Sequence, residues 1–109
     1  MNYTVRVLPR AKQDLRRIFF YIEERSPEGA IRWEEALESG LDRLSNNPLI
    51  YGLAPEDKHF VFELRQLLFK TRRGRNYRAV YRIDENEVTV LRICGPGQAP
   101  LSPDEIPLE

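Results

Sequence analysis

The alternation of apolar and polar residues along this chain changes period three times, and each change marks an element. Tyr3 to Val7 alternates and is partly β-branched, which predicts a short strand. Pro9 then suits a first helical position, where its missing N–H costs nothing. From Arg10 to Arg25 the period becomes helical. Ala11, Leu15, Ile18, Phe19 and Ile22 form one stripe, and Phe20 and Tyr21 widen it. Ser26 followed by Pro27 reads as an N-cap and the first residue of a second helix. Its stripe is Ala30, Trp33, Leu37, Gly40, Leu41 and Leu44, and Asn46-Asn47-Pro48 stops it. Gly40 lowers helix propensity by about 1 kcal/mol against alanine, so it is expected to permit a close approach by the first helix.

Beyond residue 48 the period shifts to two. Leu49 to Phe60 reads as a loop, and Phe62 to Lys70 is rich in strand formers. Thr71 to Asn76 (TRRGRN) is a basic turn. Tyr77 to Ile83 alternates, with Tyr77, Ala79, Tyr81 and Ile83 on one face and Arg78, Val80 and Arg82 on the other. Asp84-Glu85-Asn86 turns the chain, Glu87 to Ile93 returns as a strand, and Gly95-Pro96-Gly97 ends it. The order β-α-α-β-β-β predicts an α+β fold: an antiparallel sheet packed on an N-terminal helical hairpin, with the sheet's other face left for solvent or a partner. One domain is expected over residues 1–98. Residues 99–109, with three prolines and three acids, are expected to be an extended, poorly ordered tail.

Composition narrows the class. The chain has 109 residues, of which 41% are hydrophobic and 31% charged, which fits one folded domain. A single cysteine, Cys94, excludes an internal disulfide, and MNYTVRVLPR has no apolar stretch like a signal peptide. A cytoplasmic protein without a membrane span is therefore expected. Net charge is zero, yet it is unevenly laid out. Residues 23–42 hold seven acids (Glu23, Glu24, Glu28, Glu34, Glu35, Glu38, Asp42) against Arg25 and Arg32. Residues 65–82 hold seven bases (Arg65, Lys70, Arg72, Arg73, Arg75, Arg78, Arg82) and no acid. Such a local field can steer a polyanion although the total vanishes.

The candidate chemistry is thin. His59 is the one side chain whose ordinary pKa lies near neutrality, and a lone loop histidine is more often solvated than catalytic. Without it, Tyr77, Tyr81 or Lys70 would have to act as base, each about 3 pH units from its reference pKa, or about 4 kcal/mol. Tyr77 and Tyr81 share parity with Ala79 and Ile83, which favours a core role. Cys94 reads as a small buried hydrophobe, and Glu34-Glu35 as a solvated helix face. One Cys and one His cannot build a zinc site without several carboxylates, and no phosphate-binding P-loop is present. No metal or cofactor is expected. The arginines suit phosphate or carboxylate recognition through their planar forks. Phe20 and Tyr21 are either an exposed partner patch or a broader core contact.

Several motifs, in order, resemble the RelE/ParE toxin superfamily. They are Tyr3-Thr4-Val5, then Pro9-x-Ala11-x-x-Asp14-Leu15-x-x-Ile18, then Glu63-Leu64-Arg65, then Tyr77-Arg78-Ala79-Val80-Tyr81-Arg82-Ile83, then Val88-Thr89-Val90-Leu91-Arg92-Ile93 before a glycine turn. The likeness spans roughly residues 3–98. It implies the toxin of a type II toxin–antitoxin pair, silenced by a cognate antitoxin, with one of two activities: poisoning of DNA gyrase (ParE-like) or cleavage of mRNA in the ribosome (RelE-like, an enzyme). Arg78 matches the nuclease's third-strand arginine. The mostly apolar Gln66-Leu67-Leu68-Phe69, and Cys94-Gly95-Pro96-Gly97-Gln98 where nucleases often carry a base, depart from the nuclease pattern and favour the ParE side. If the chain is a nuclease, Arg65, Lys70, Arg78 and Tyr81 are the catalytic candidates. Target or partner binding is expected at Arg65, Lys70, Arg72, Arg73, Arg75, Arg78, Arg82, Phe20 and Tyr21, with a homo-oligomer or toxin–antitoxin hetero-oligomer compatible with either. A third reading is a nontoxic binding module. On the expectation of a surface arginine, Arg78→Ala would remove toxicity with little loss of stability.

Overall fold

The computed structural model describes residues 2–108 and contains two long helices and a four-stranded sheet. The elements are β1 (Thr4–Val7), α1 (Pro9–Glu23), α2 (Pro27–Asn46), β2 (Arg65–Phe69), β3 (Tyr77–Asp84) and β4 (Glu87–Cys94). Short 3-10 turns at Pro48–Ile50, Pro55–His59 and Pro103–Glu105 punctuate the loops. Each boundary follows local chemistry. Pro9 opens α1. The Ser26 hydroxyl accepts the Gly29 N–H at 3.0 Å and caps α2.

The sheet order is β1-β4-β3-β2. β2–β3 and β3–β4 are antiparallel hairpin pairs, whereas β1 lies parallel to β4, with Thr4 opposite Glu87 and Val7 opposite Val90. The sheet is thus mixed, which corrects the antiparallel expectation. Short turns force adjacent strands to reverse, but β1 reaches β4 only through the rest of the chain and is free to run alongside it. Opposite the Val80/Tyr81 step β4 carries one extra residue, Leu91, and the alternation resets there. Val88, Val90 and Ile93 face one side, and Leu91 and Cys94 the other.

On the first side the helical stripes bury themselves against the sheet. Ala11, Ile18, Trp33, Leu37 and Leu44 meet Leu67, Phe69, Ala79, Tyr81, Val88 and Val90. Trp33 lies at the centre, with ring centroids 5.5 Å from Tyr77 and 5.9 Å from Phe69. A Cβ added at Gly40 would stand 2.7 Å from the Leu67 Cδ2, so this glycine admits β2, not α1 as expected. Phe20 and Tyr21 do not join the core; each is more than half exposed.

The second side is also covered, contrary to the expectation of an open face. Leu8, Ala54, Leu64, Val80, Leu91, Cys94, Leu101 and Ile106 form a second apolar cluster, flanked by Phe60 and Phe62. Leu101 and Ile106 belong to the segment expected to be extended and poorly ordered. It packs because these two aliphatic side chains, spaced five apart around a Ser102–Glu105 capping box, have an apolar sheet face to cover.

Candidate functional site

Two buried ion pairs tie the layers together, and they account for much of the cationic sheet. Asp14 comes from α1 with 2% of its surface exposed. Its carboxylate accepts from Arg92 Nε at 2.7 Å, from Arg92 Nη2 at 3.1 Å and from the Ile93 N–H at 3.0 Å. β1 pairs with β4 only as far as Val90. Asp14 thus satisfies a donor on the β4 edge just beyond the end of β1. The remaining Arg92 nitrogen, Nη1, donates to the Glu105 carbonyl at 2.8 Å, which anchors the C-terminal segment.

The second pair joins Glu56, 1% exposed, to Arg78. Arg78 donates to both carboxylate oxygens, at 2.9 and 2.5 Å, and also to Gln66 Oε1 at 3.3 Å. Glu56 Oε2 in turn accepts the Leu101 N–H at 2.7 Å. Burial by itself would raise the Glu56 pKa; the hydrogen bonds from Arg78 and Leu101 outweigh it and hold the carboxyl below its ordinary value. The bond to Glu56 likewise raises the Arg78 pKa. Arg78 is therefore a structural arginine with a side chain only 13% exposed, and the expectation that its removal would cost little stability is overturned.

The other nuclease candidates on the sheet are similarly engaged. Tyr81 is fully buried and its hydroxyl donates to the Pro48 carbonyl at 2.6 Å. Burial pushes its pKa far above the ordinary tyrosine value, the wrong direction for a base at neutral pH. Arg65 reaches back across the loop to the Leu49 and Tyr51 carbonyls at 3.3 and 2.6 Å and to Glu63 at 3.0 Å. The Arg82 guanidinium sits 4.1 Å above the Phe62 ring. Cys94 is buried and burial raises its pKa, as a core thiol requires. His59 is exposed on the loop. Among the described residues no group of three or more His, Cys, Asp or Glu side chains could hold a metal ion.

The remaining bases behave differently. Lys70, Arg72, Arg73 and Arg75 are all exposed on the connection between β2 and β3. The turn is closed by a Gly74 N–H to Thr71 carbonyl bond of 3.1 Å. A Cβ at Gly74 would stand 2.4 Å from the Thr71 Oγ1, so that hydroxyl would have to turn away to admit one. This turn forms one bank of a groove of about 750 Å³, lined on the other side by α1 and the start of α2. Arg17 and Arg75 both line it, together with Tyr21, Trp33 and Tyr77. Arg25 covers the Tyr21 ring at 3.9 Å.

The structure thus divides the predicted site residues. It brings Arg75 and Tyr21 to one groove, with Lys70, Arg72 and Arg73 on the same turn as Arg75 and Phe20 next to Tyr21 on α1. It places Arg65, Arg78 and Arg82 elsewhere, each held by the fold. Asp14, Glu56 and Arg92 were missed as a set. An acid inside the α1 stripe and an arginine inside β4 were signals for Asp14 and Arg92; nothing local marked Glu56.

Comparisons with known proteins fit this architecture. A chain of the chromosomal ParDE toxin–antitoxin system from P. aeruginosa is similar at 19% identity over 84% of this chain and 94% of that chain, with a TM-score of 0.66. A mutant of the E. coli toxin RelE in its free state is similar at 20% identity over 89% of this chain and 86% of that chain, with a TM-score of 0.57. No curated protein matches the sequence. No helix among the described residues is long and apolar enough to cross a membrane. The family model described as the ParE toxin of the type II toxin–antitoxin system parDE matches residues 5–98, and the chain belongs to that family.

Proposed function

We propose that this ParE-family toxin arrests growth by binding and inhibiting DNA gyrase, and that a cognate antitoxin neutralises it. One observation carries the choice of target. The sheet side chains that an mRNA nuclease of the superfamily would need are consumed by the fold: Arg78 by Glu56, Tyr81 by the Pro48 carbonyl and Arg65 by two loop carbonyls. A nuclease needs a proton acceptor for the attacking 2′-hydroxyl, and Tyr81 is shifted away from that role. What stays accessible is suited to binding: exposed Phe20 and Tyr21, the groove beside them and the cationic turn on its bank. The same surfaces would serve an antitoxin, whose coverage of them would block the target.

The test is a supercoiling assay with pure toxin and gyrase. Loss of supercoiling with rising toxin is expected, and its reversal by a cognate antitoxin. Full gyrase activity at large toxin excess would overturn the target, and codon-linked cuts in translated messages would replace it with the ribosome.

A further inference from the structure

We propose that the β2–β3 turn is a contact tip for double-stranded DNA, gripping its phosphate backbone through Arg72, Arg73 and Arg75, with Lys70 and Arg17 at its margins. The proposal goes beyond gyrase inhibition: it concerns DNA bound directly by this chain.

The first argument is availability. No carboxylate pairs with Lys70, Arg72, Arg73 or Arg75 among the described residues, whereas Arg65, Arg78 and Arg92 each have a carboxylate partner. Arg17 is only loosely engaged, 3.7 Å from Asp14 with its side chain 61% exposed. Four cations within six residues, with no acid among them, leave a concentrated field that the folded chain does not neutralise.

The second argument is geometry. The Thr71–Gly74 closure puts Arg72 and Arg73 at the two central positions of a tight turn. Arg75 lies against the β4 exit, its Nη2 3.7 Å from where a Gly97 Cβ would stand. Arg72 and Arg73 therefore stand at the tip of the β2–β3 hairpin, at the edge of the four-stranded sheet. Arginine forks match phosphate oxygens two at a time. A duplex supplies one charge per about 1.7 Å of axis, so a short tip meets several at once.

The third argument selects the kind of nucleic acid. Single strands are held by bases stacking on free aromatic faces beside a basic groove. The rings beside this turn are already engaged. Trp33, Phe69 and Tyr77 pack on one another, and Arg25 covers Tyr21. Residues 70–76 themselves carry four cations and no aromatic ring, so the turn offers charge without a stacking platform of its own, which suits a duplex backbone.

The experiment is fluorescence anisotropy with a labelled 20-base-pair duplex, with neither gyrase nor ribosome present, over a salt series. Three proteins of matched fold, checked by thermal melting, are compared: the parent, R72A/R73A/R75A and a charge-matched control on the exposed face of α1, R10A/K12A/R16A. The parent is expected to bind, with affinity falling steeply as salt rises. The turn variant should lose about tenfold or more in affinity, and its log–log salt slope should flatten by about 0.9 for each phosphate contact removed. The control should lose much less. Equal losses in the two triple variants would overturn the proposal, since attraction would then be diffuse. So would tighter binding of single-stranded RNA than of duplex, or competition by polyglutamate as effective as by DNA at equal charge. Absence of binding by the parent at low salt would also overturn it while leaving the gyrase reading standing, and full gyrase activity in the supercoiling assay would overturn that reading without touching the DNA contact.

Discussion

Two sets of arginines lie within thirty residues of sequence and have opposite fates. Arg65, Arg78 and Arg92, on the strands, give their guanidiniums to buried or half-buried oxygens of the same chain. Arg72, Arg73 and Arg75, on the turn, have no such partner. The difference follows from position. A strand residue facing an apolar layer must neutralise its charge before it can be buried, because an unpaired charge in that layer costs several kcal/mol. A turn residue stays in water and meets no such demand. Sequence charge therefore overstates the surface field of the sheet and states that of the turn correctly.

The largest effect that would expose this division is at Arg92. Arg92→Ala leaves Asp14 buried with only the Ile93 N–H and the more distant Arg17 for company. It also frees the Glu105 carbonyl from its donor. A loss of about 3–5 kcal/mol is expected, read as a shift of the urea midpoint at unchanged slope. A loss below about 1 kcal/mol would mean that the pair is solvated and that strand and turn arginines do not differ in kind.

Arg78 comes next and adds a pH signature. Arg78→Ala should cost about 3 kcal/mol, since it leaves Glu56 buried with the Leu101 N–H as its remaining protein donor from outside its own residue. The Glu56 pKa is lowered on folding, so the stability it contributes is fully present above the unfolded value near 4.5. It is lost as pH falls from there through the folded value. The stability gap between the parent and Glu56→Gln should therefore be wide at neutral pH and shrink on acidification below about pH 4.5. A gap that widened in acid would reverse the sign of the argument. Replacing both partners by apolar residues of similar size should restore much of the stability, because the cost lies in the orphaned charge rather than in the lost pair.

What the sequence made legible follows the same physics. Periodicity located both helices, three of the four strands to within a residue and β2 more generously, because one-sided burial imposes a period that the sequence must display. The Ser26 cap and the stop at Asn46-Asn47-Pro48 were readable because capping is local. Long-range pairing was not. The parallel partnership of β1 with β4 depends on residues more than eighty positions apart, and no local pattern encodes strand direction. The C-terminal segment misled for a related reason. Its prolines and acids read as a solvated tail, while Leu101 and Ile106, among a few scattered apolar residues, had no visible periodicity to announce a buried face. The candidate site was half legible. The turn's bases stand where they were expected, whereas Arg78 needed Glu56, twenty-two residues away in an irregular loop, to show that it was taken.

The smallest effect on stability belongs to the turn, and it separates function from folding most cleanly. Arg73 is exposed and outside every strand, so Arg73→Ala should change unfolding free energy by no more than about 0.5 kcal/mol. Growth inhibition on induction, read as colony counts against the parent at equal expression, is expected to weaken all the same. The comparison with Arg78→Ala makes this informative, since a destabilised protein can lose toxicity merely by being degraded. A variant that melts with the parent and no longer arrests growth places the activity on the turn. A variant that melts with the parent and still arrests growth would move the working surface off the turn, toward the exposed Phe20 and Tyr21 of α1.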